Sequence, residues 1–260
     1  MQVDEKKTPE WGEKEWFDQH FDGADNSNLG GDNWGHRWRG NQIVRHKHCF
    51  ALIKNRVKAM HGGAILDLAC GLCEFSGLIY SANRTNKIYV TDISENAIKY
   101  VEENHKEFSA KVEELPHIDF PPQTMDIIVC LEVLYYLSEN DFRLSLENMN
   151  KVLKPNGRIL ISGKVNAGDR YNDEENFIRE IERVYSIVKI DYLYNYLENQ
   201  FEAPFLFILN NFIKNKKGVI ARILKFACHS ERRAEMLNLL TRKIYGEKGK
   251  THIFILCKKK

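Results

Sequence analysis

One stretch constrains this chain more than any other: Ile65-Leu66-Asp67-Leu68-Ala69-Cys70-Gly71-Leu72-Cys73. It reads as an apolar strand that carries an acidic residue near its end and runs through a tight turn of small residues into a helix. Small residues let backbone approach a ligand closely, and a helix N-terminus offers unpaired N–H groups. The next strand ends in Thr91-Asp92. An acidic side chain about 20 residues past such a turn can accept both hydroxyl hydrogens of a ribose. By itself this is a nucleoside-binding unit. A dinucleotide fold would show G-x-G-x-x-G, whereas this turn has one glycine, Gly71, and no phosphate-binding lysine. A ligand without phosphates fits it better.

The rest of the chain alternates strand-like and helix-like stretches. Apolar runs at 64–68, 87–91, 125–130 and 158–162 read as strands, the last entered through the turn Pro155-Asn156-Gly157. Between them, 95–107 follows Ser94, a suitable N-cap, and 141–153 places Phe142, Leu146, Met149, Val152 and Leu153 on one helical face. Later stretches read as helix over 174–185 and strand over 187–192 and 252–257. This order predicts an α/β, Rossmann-like, seven-stranded, mostly parallel sheet with helices on both faces. Four segments are expected: an N-terminal aromatic lid or arm over 1–43, a core over 44–195, a helical cap inserted over 196–250, and the last strand with a basic tail over 251–260.

Composition narrows the setting. With 43% hydrophobic and 28% charged residues, the 260-residue chain matches an ordinary globular protein. No run approaches a membrane span, and the polar, acidic start lacks the pattern of a secretory signal, so a cytoplasmic location is expected. Six cysteines in this length are too sparse for a disulfide framework. Cys70-Gly71-Leu72-Cys73 is a CxxC, but no second pair or histidine spacing completes a metal site, and no metal is expected. Charge is uneven. Residues 205–250 carry eleven basic residues against three acidic ones, while the whole chain is only +2. Residues 1–35 are acidic, from Asp4 and Glu5 through Asp25 and Asp32.

Taken together, the motifs resemble those of class I S-adenosylmethionine-dependent methyltransferases, over about 45–200. The turn at 65–73 resembles that family's apolar–Asp–x–Gly/Ala–Cys–Gly–x–Gly stretch, and Asp92 matches its ribose-binding acid. Leu115-Pro116 with Met125-Asp126-Ile127-Ile128-Val129, and Leu153-Lys154-Pro155-Asn156-Gly157-Arg158, match two further motifs in order. The stretch Glu132 to Leu137 looks like the small-molecule branch and is similar to nodulation-type sugar-amine N-methyltransferases. Cys73 departs from the pattern, standing where the family has its last glycine, so a sulfur there is expected to crowd the cofactor.

The resemblance implies S-adenosyl-L-methionine as cofactor and assigns its contacts. Asp67 would orient the amino group, and Ala69, Gly71 and Cys73 would line the backbone turn. Asp92 would hold the ribose and Ile93 the adenine face. Val112 and Glu113 would meet the adenine edge, Lys111 occupying the place of the family's acid. The Leu131 carbonyl would lie near the amino group, and Arg37 would bind the carboxylate. Methyl transfer from a sulfonium mainly needs alignment, and a base only where the acceptor must lose a proton. Candidates for that role are Tyr136, Glu132 and Tyr135 after the fourth strand, and His36 from the lid. His46 and His48 are expected on an exposed basic helix face.

The expected acceptor is a small polar molecule: a sugar, an amino sugar or a biosynthetic intermediate. An RNA methyltransferase using the basic cap is an alternative, opposed by the absence of an NPPY-type tetrapeptide, which argues against a nucleic-acid partner. A non-catalytic cofactor-binding protein is the other. Residues 205–226 mix apolar and basic side chains without an acid, so contact with an anionic membrane is a further expectation, as is a homodimer.

Overall fold

The computed structural model describes residues 10–23, 32–166, 173–213, 215 and 218–260. The acidic residues Asp4, Glu5 and Asp25, and Lys214, Lys216 and Lys217 of the basic segment, lie outside these residues.

The chain opens with two helices, α1 (Lys14–Phe21) and α2 (Gly40–Ala59). Strand β1 (Ala64–Leu68) follows, then α3 (Glu74–Ala82), β2 (Lys87–Asp92), α4 (Glu95–Asn104), β3 (Phe108–Val112) and β4 (Met125–Leu131). After a short 3-10 turn at Leu134–Tyr136 come α5 (Glu139–Val152), β5 (Leu153–Lys164), α6 (Glu174–Val184) and β6 (Tyr185–Leu193). Helices α7 (Tyr196–Asn211), α8 (Val219–Cys228) and α9 (Glu231–Tyr245) precede the last strand, β7 (His252–Lys259). The seven strands form one sheet in the order β3-β2-β1-β4-β5-β7-β6. Strands β1 to β5 pair in parallel, and β7 runs antiparallel between β5 and β6. The order reverses at β1, which leaves a crevice at the carboxyl ends of β1 and β4, where open α/β sheets bind ligands.

The apolar runs are nearly continuous because both faces of the sheet are covered. Alternation then divides each run. Ile65, Ile127 and Val129 pack with α2, α3 and α4, among Ile53, Val57, Ile79 and Val101. Leu66, Leu68, Ile128 and Cys130 pack with α5 and α6, among Leu146, Met149, Phe177 and Ile181. Ser94 caps α4 as expected, accepting the Ala97 N–H at 3.2 Å, and Ser138 caps α5 by accepting from Asp141 at 3.1 Å.

Two of the sequence motifs act far from the crevice. Asp126 Oδ2 accepts the Ala64 N–H at 2.9 Å and the Lys154 ammonium at 2.6 Å. It thereby fastens the start of β1 to the start of β5. The Pro155-Asn156-Gly157 turn is an interruption inside the long strand β5, whose register shifts between Met125 and Ile127 of its neighbour.

The late helices pack mainly on α2 and on one another. Trp38, Leu209, Ala221 and Cys228 form a small separate core. Two buried carboxylates staple the assembly. The Arg39 guanidinium donates to Glu202 Oε2 from Nε at 2.9 Å, and Arg233 grips Glu198 within α7–α9 at 2.8 Å. Glu198 and Glu202 are fully buried. Removing one partner of a buried pair leaves the other charge desolvated and unpaired. Glu202→Ala is therefore expected to destabilise the protein by about 3 kcal/mol in chemical denaturation, somewhat less where water reaches Arg39. Equal stability would show that the pair does not hold α7 to α2.

Candidate active site

The turn after β1 is built from three left-handed residues at alternate positions: Ala69 (φ 56°), Gly71 (φ 54°) and Cys73 (φ 62°). Glycine adopts this conformation freely, whereas a residue with a Cβ is strained by roughly 1–2 kcal/mol. Gly71 also sits beneath Phe21, whose ring would lie 3.3 Å from an added Cβ.

The acidic residues are fixed from two directions. The Ser76 hydroxyl, one turn into α3, donates to Asp67 Oδ2 at 2.5 Å. Asp92 accepts the Gly71 N–H at 2.8 Å through Oδ2 and the Ser94 N–H at 2.9 Å through Oδ1. Each Asp92 oxygen keeps a further lone pair for a ligand hydroxyl. Burial pushes the Asp67 carboxyl up to about 7, against the Ser76 hydrogen bond, and Asp92 adds to the rise. Burial likewise raises Asp92 to about 6, against its backbone hydrogen bonds.

A single cavity runs over this turn. Asp67, Ala69, Gly71, Asp92, Ile93, Glu113, Leu131, Glu132, Tyr135, Tyr136 and His36 all line it. Gly12, Phe17, Phe21 and Trp34 of the N-terminal segment line it too. That segment is tied down: the Ser94 hydroxyl donates to Asp18 at 2.6 Å, and the Asn96 amide donates to the Asp18 carbonyl at 3.0 Å. Trp11 and Phe17 pack against Tyr136, with ring centroids 4.5 and 5.1 Å apart. No described residue of 196–250 is among those lining the cavity.

Three expected contacts lie elsewhere. The Cys73 side chain points into the core and is fully buried, so its sulfur does not crowd the cavity. The glycine preference at that position concerns φ. Arg37 pairs with Glu74 at 2.8 Å and lies over the Tyr100 ring, in a neighbouring depression. Val112 is exposed on the outer side of β3. Glu113 accepts the Asp119 N–H at 2.8 Å with Oε1, while its buried Oε2 has no hydrogen-bond partner among the described residues.

On the far side of the cavity, Glu132 holds a non-glycine left-handed conformation, φ 59°. Such strain clusters at functional sites. The Ser162 hydroxyl donates to Glu132 Oε1 at 2.8 Å. Around Oε2 lie Tyr135 Oη at 3.4 Å, Arg45 Nη1 at 3.7 Å and His252 Nε2 at 3.7 Å. Burial pushes the Glu132 carboxyl up, but His252, Arg45, the Ser162 hydrogen bond and Lys164 outweigh it, and the carboxyl is lowered overall. Burial holds His252 itself down to about 4, so near neutral pH the cationic support comes from Arg45 and Lys164 rather than the imidazole. Burial, reinforced by neighbouring arginines, lowers His36 to about 3 and His46 well below the usual imidazole range. Burial raises the Tyr135 hydroxyl, which stays protonated.

The expected exposed basic face of α2 is corrected here. Arg45 and His46 are buried and line the cavity, while His48 is half-buried and lies 3.5 Å from Asp191. Gln42 and Lys164 also line the cavity. None of Gln42, Arg45, Lys164, Ser162 or His252 carries a local sequence signal, because what brings them together is sheet order.

Comparisons with known proteins agree on the class. Residues 65–157 match the methyltransferase domain family. The N-methyltransferase NodS from Bradyrhizobium japonicum WM9, solved with S-adenosyl-L-homocysteine, is 14% identical, with a TM-score of 0.60 over 95% of this chain and 97% of that one. Phosphoethanolamine N-methyltransferase 2 from Haemonchus contortus, solved with S-adenosyl-L-methionine, is 13% identical, with a TM-score of 0.53 over 85% of this chain and 57% of that one. The [4+2]-cyclase SpnF gives 14% identity and a TM-score of 0.60 over 84% and 82%. No curated protein matches the sequence. Residues 65–157 thus carry a methyltransferase domain, on a fold shared with S-adenosylmethionine-dependent methyltransferases. At these identities the structural neighbours establish the fold and nothing about the acceptor.

The cavity suits that cofactor. Two buried acids stand at the strand ends, the turn between them approaches without bulky side chains, and Glu113 offers an unpartnered buried oxygen. In the ligand-free protein, Asp67 and Asp92 stay protonated well above the pH at which they ionise in the unfolded chain. The native state therefore binds more protons than the unfolded state between about pH 4 and 7, and stability falls as pH rises through that window. Asp67→Asn is expected to flatten this fall in thermal melts from pH 5 to 8. A variant that keeps the wild-type slope would exclude Asp67 as its source.

Proposed function

We propose that the protein transfers a methyl group to a small polar acceptor, with an amine nitrogen as the receiving atom. The single observation behind this reading is the setting of Glu132: its carboxyl faces the cavity beside Tyr135 and Tyr136, with the Ser162 hydroxyl donating to Oε1 and Arg45 Nη1 3.7 Å from Oε2. When bound, S-adenosyl-L-methionine supplies a methyl on a sulfonium, which leaves readily and needs alignment more than activation. Asp67 would hold its ammonium, Asp92 its ribose hydroxyls, and Ile93 and Glu113 its adenine. Glu132 would accept a hydrogen bond from the acceptor's N–H and point the nitrogen lone pair along the transfer line. A carboxylate that already accepts from Ser162 and lies beside Arg45 is a poor base for a hydroxyl but an adequate partner for an amine. Tyr136, backed by Trp11 and Phe17, would form the wall against which the acceptor lies. His36 and His46, neutral and weakly basic, would exclude water and shape the cavity. An amino sugar or an amine-bearing biosynthetic intermediate fits this description.

Asp92→Ala is expected to weaken S-adenosyl-L-methionine binding on the order of tenfold to a hundredfold by calorimetry, the loss of hydrogen bonds to a charged acceptor. Unchanged affinity would remove the ribose assignment. For the acceptor, S-adenosyl-L-homocysteine release is measured against small amines and their hydroxyl counterparts. Turnover is expected with amines, reduced by roughly tenfold or more in Glu132→Gln. Equal turnover with hydroxyl compounds would contradict the amine reading.

A further inference from the structure

The outer face of α8 is apolar and uncovered. Val219, Ile220, Ile223 and Phe226 are 73%, 61%, 63% and 79% exposed. Their spacing places them on one side of the helix. The opposite side is accounted for: Ala221 and Cys228 are buried against Trp38 and Leu209, with Leu224 packed alongside. Helix α8 is thus apolar on both sides, and among the described residues only the inner side has a partner. Phe207 and Phe212, at the end of α7, are also exposed, their rings 5.8 Å apart, and α7 packs on α8. Monomeric soluble proteins rarely leave so many large apolar side chains in water together.

The charges around this face choose its partner. Arg222 on α8 is exposed, as are Arg232, Arg242 and Lys243 on α9 with a single exposed acid there, Glu235. In sequence, 205–226 contains five basic residues and no acidic one; Lys214, Lys216 and Lys217 lie outside the described residues, and Lys225 is buried against Trp38. A second copy applying the same face would bring like charges together, which disfavours a two-fold interface. An anionic surface would be attracted to them. The apolar groups are side chains projecting from short helices, suited to sinking between acyl chains. No helix among the described residues is long and apolar enough to cross a membrane.

We propose that the α7–α8 end of the protein docks on an anionic lipid surface, inserting Ile223 and Phe226 below the headgroups while the basic side chains meet lipid phosphates. The helices that dock are those clamped to α2, which carries Arg45 into the cavity. Docking would hold that side of the enzyme at the surface. This inference does not depend on the identity of the acceptor.

The test is co-sedimentation of the full chain with phosphatidylcholine vesicles, with and without phosphatidylglycerol. Binding is expected only with the anionic lipid, and it should weaken as salt rises. Ile223→Ser with Phe226→Ser should reduce binding on the order of tenfold or more, since two inserted side chains are lost. Both residues are exposed, so circular dichroism and cofactor binding of the variant should match the wild type. Absent binding, equal binding to both vesicle types, or binding unaffected by the substitutions would overturn the proposal. So would a light-scattering dimer that the same substitutions dissociate.

Discussion

The structure depends on two carboxylates buried at the carboxyl ends of adjacent parallel strands. Asp67 and Asp92 have been withdrawn from water, and burial raises both toward neutrality. Such groups are costly unless something pairs with them. The fold supplies only part of that pairing: one hydroxyl from Ser76 to Asp67, and two backbone N–H groups to Asp92. The remaining acceptor capacity faces a cavity. A ligand with an ammonium and two neighbouring hydroxyls would complete what the protein leaves open. The left-handed turn at 69 and 71 and the aromatic N-terminal segment line the same cavity.

Six of the seven strands and the acidic ends of β1 and β2 were legible because each is written locally; the mixed run of β3, Phe108–Val112, was not, and neither was the strand order. Apolar runs ending in Asp67 and Asp92 announce parallel strands and a nucleoside-binding crevice in a few residues. The acceptor half was only partly legible. Glu132 and Tyr136 follow a strand and could be named. Arg45 and His46 could not, since the run Arg45-His46-Lys47-His48 reads as a solvated helix face. Arg45 is buried beside Glu132, far along the chain, and His46 beside His36 and Phe75. Cys73 was legible as a departure, but its consequence was not. Sequence suggests a sulfur beside the cofactor, whereas the backbone conformation sends the side chain into the core.

The late helices show how a methyltransferase core can take on a second surface. The Arg39–Glu202 ion pair ties α7 to the start of α2, the Arg233–Glu198 pair ties α9 to α7, and Ala234 of α9 joins the main core. Their small core around Trp38 is separate from the two that cover the sheet. An attachment of this kind commits α7–α9 to one orientation on α2 while leaving the outer face of α8 for another task. The site keeps its own boundary: the N-terminal aromatics on one side, and Arg45, Gln42 and Lys164 on the other.

The central claim is that the cofactor completes the pairing of Asp67 and Asp92. An ammonium and ribose hydroxyls favour the ionised carboxylates, so binding must lower both pKa values and expel protons where the free protein still holds them. Calorimetric titration of S-adenosyl-L-methionine at pH 6.5, repeated in buffers of different ionisation enthalpy, reads this proton count directly. The account predicts net proton release, diminished in Asp67→Asn. Proton uptake, or binding with no exchange of protons, would contradict it.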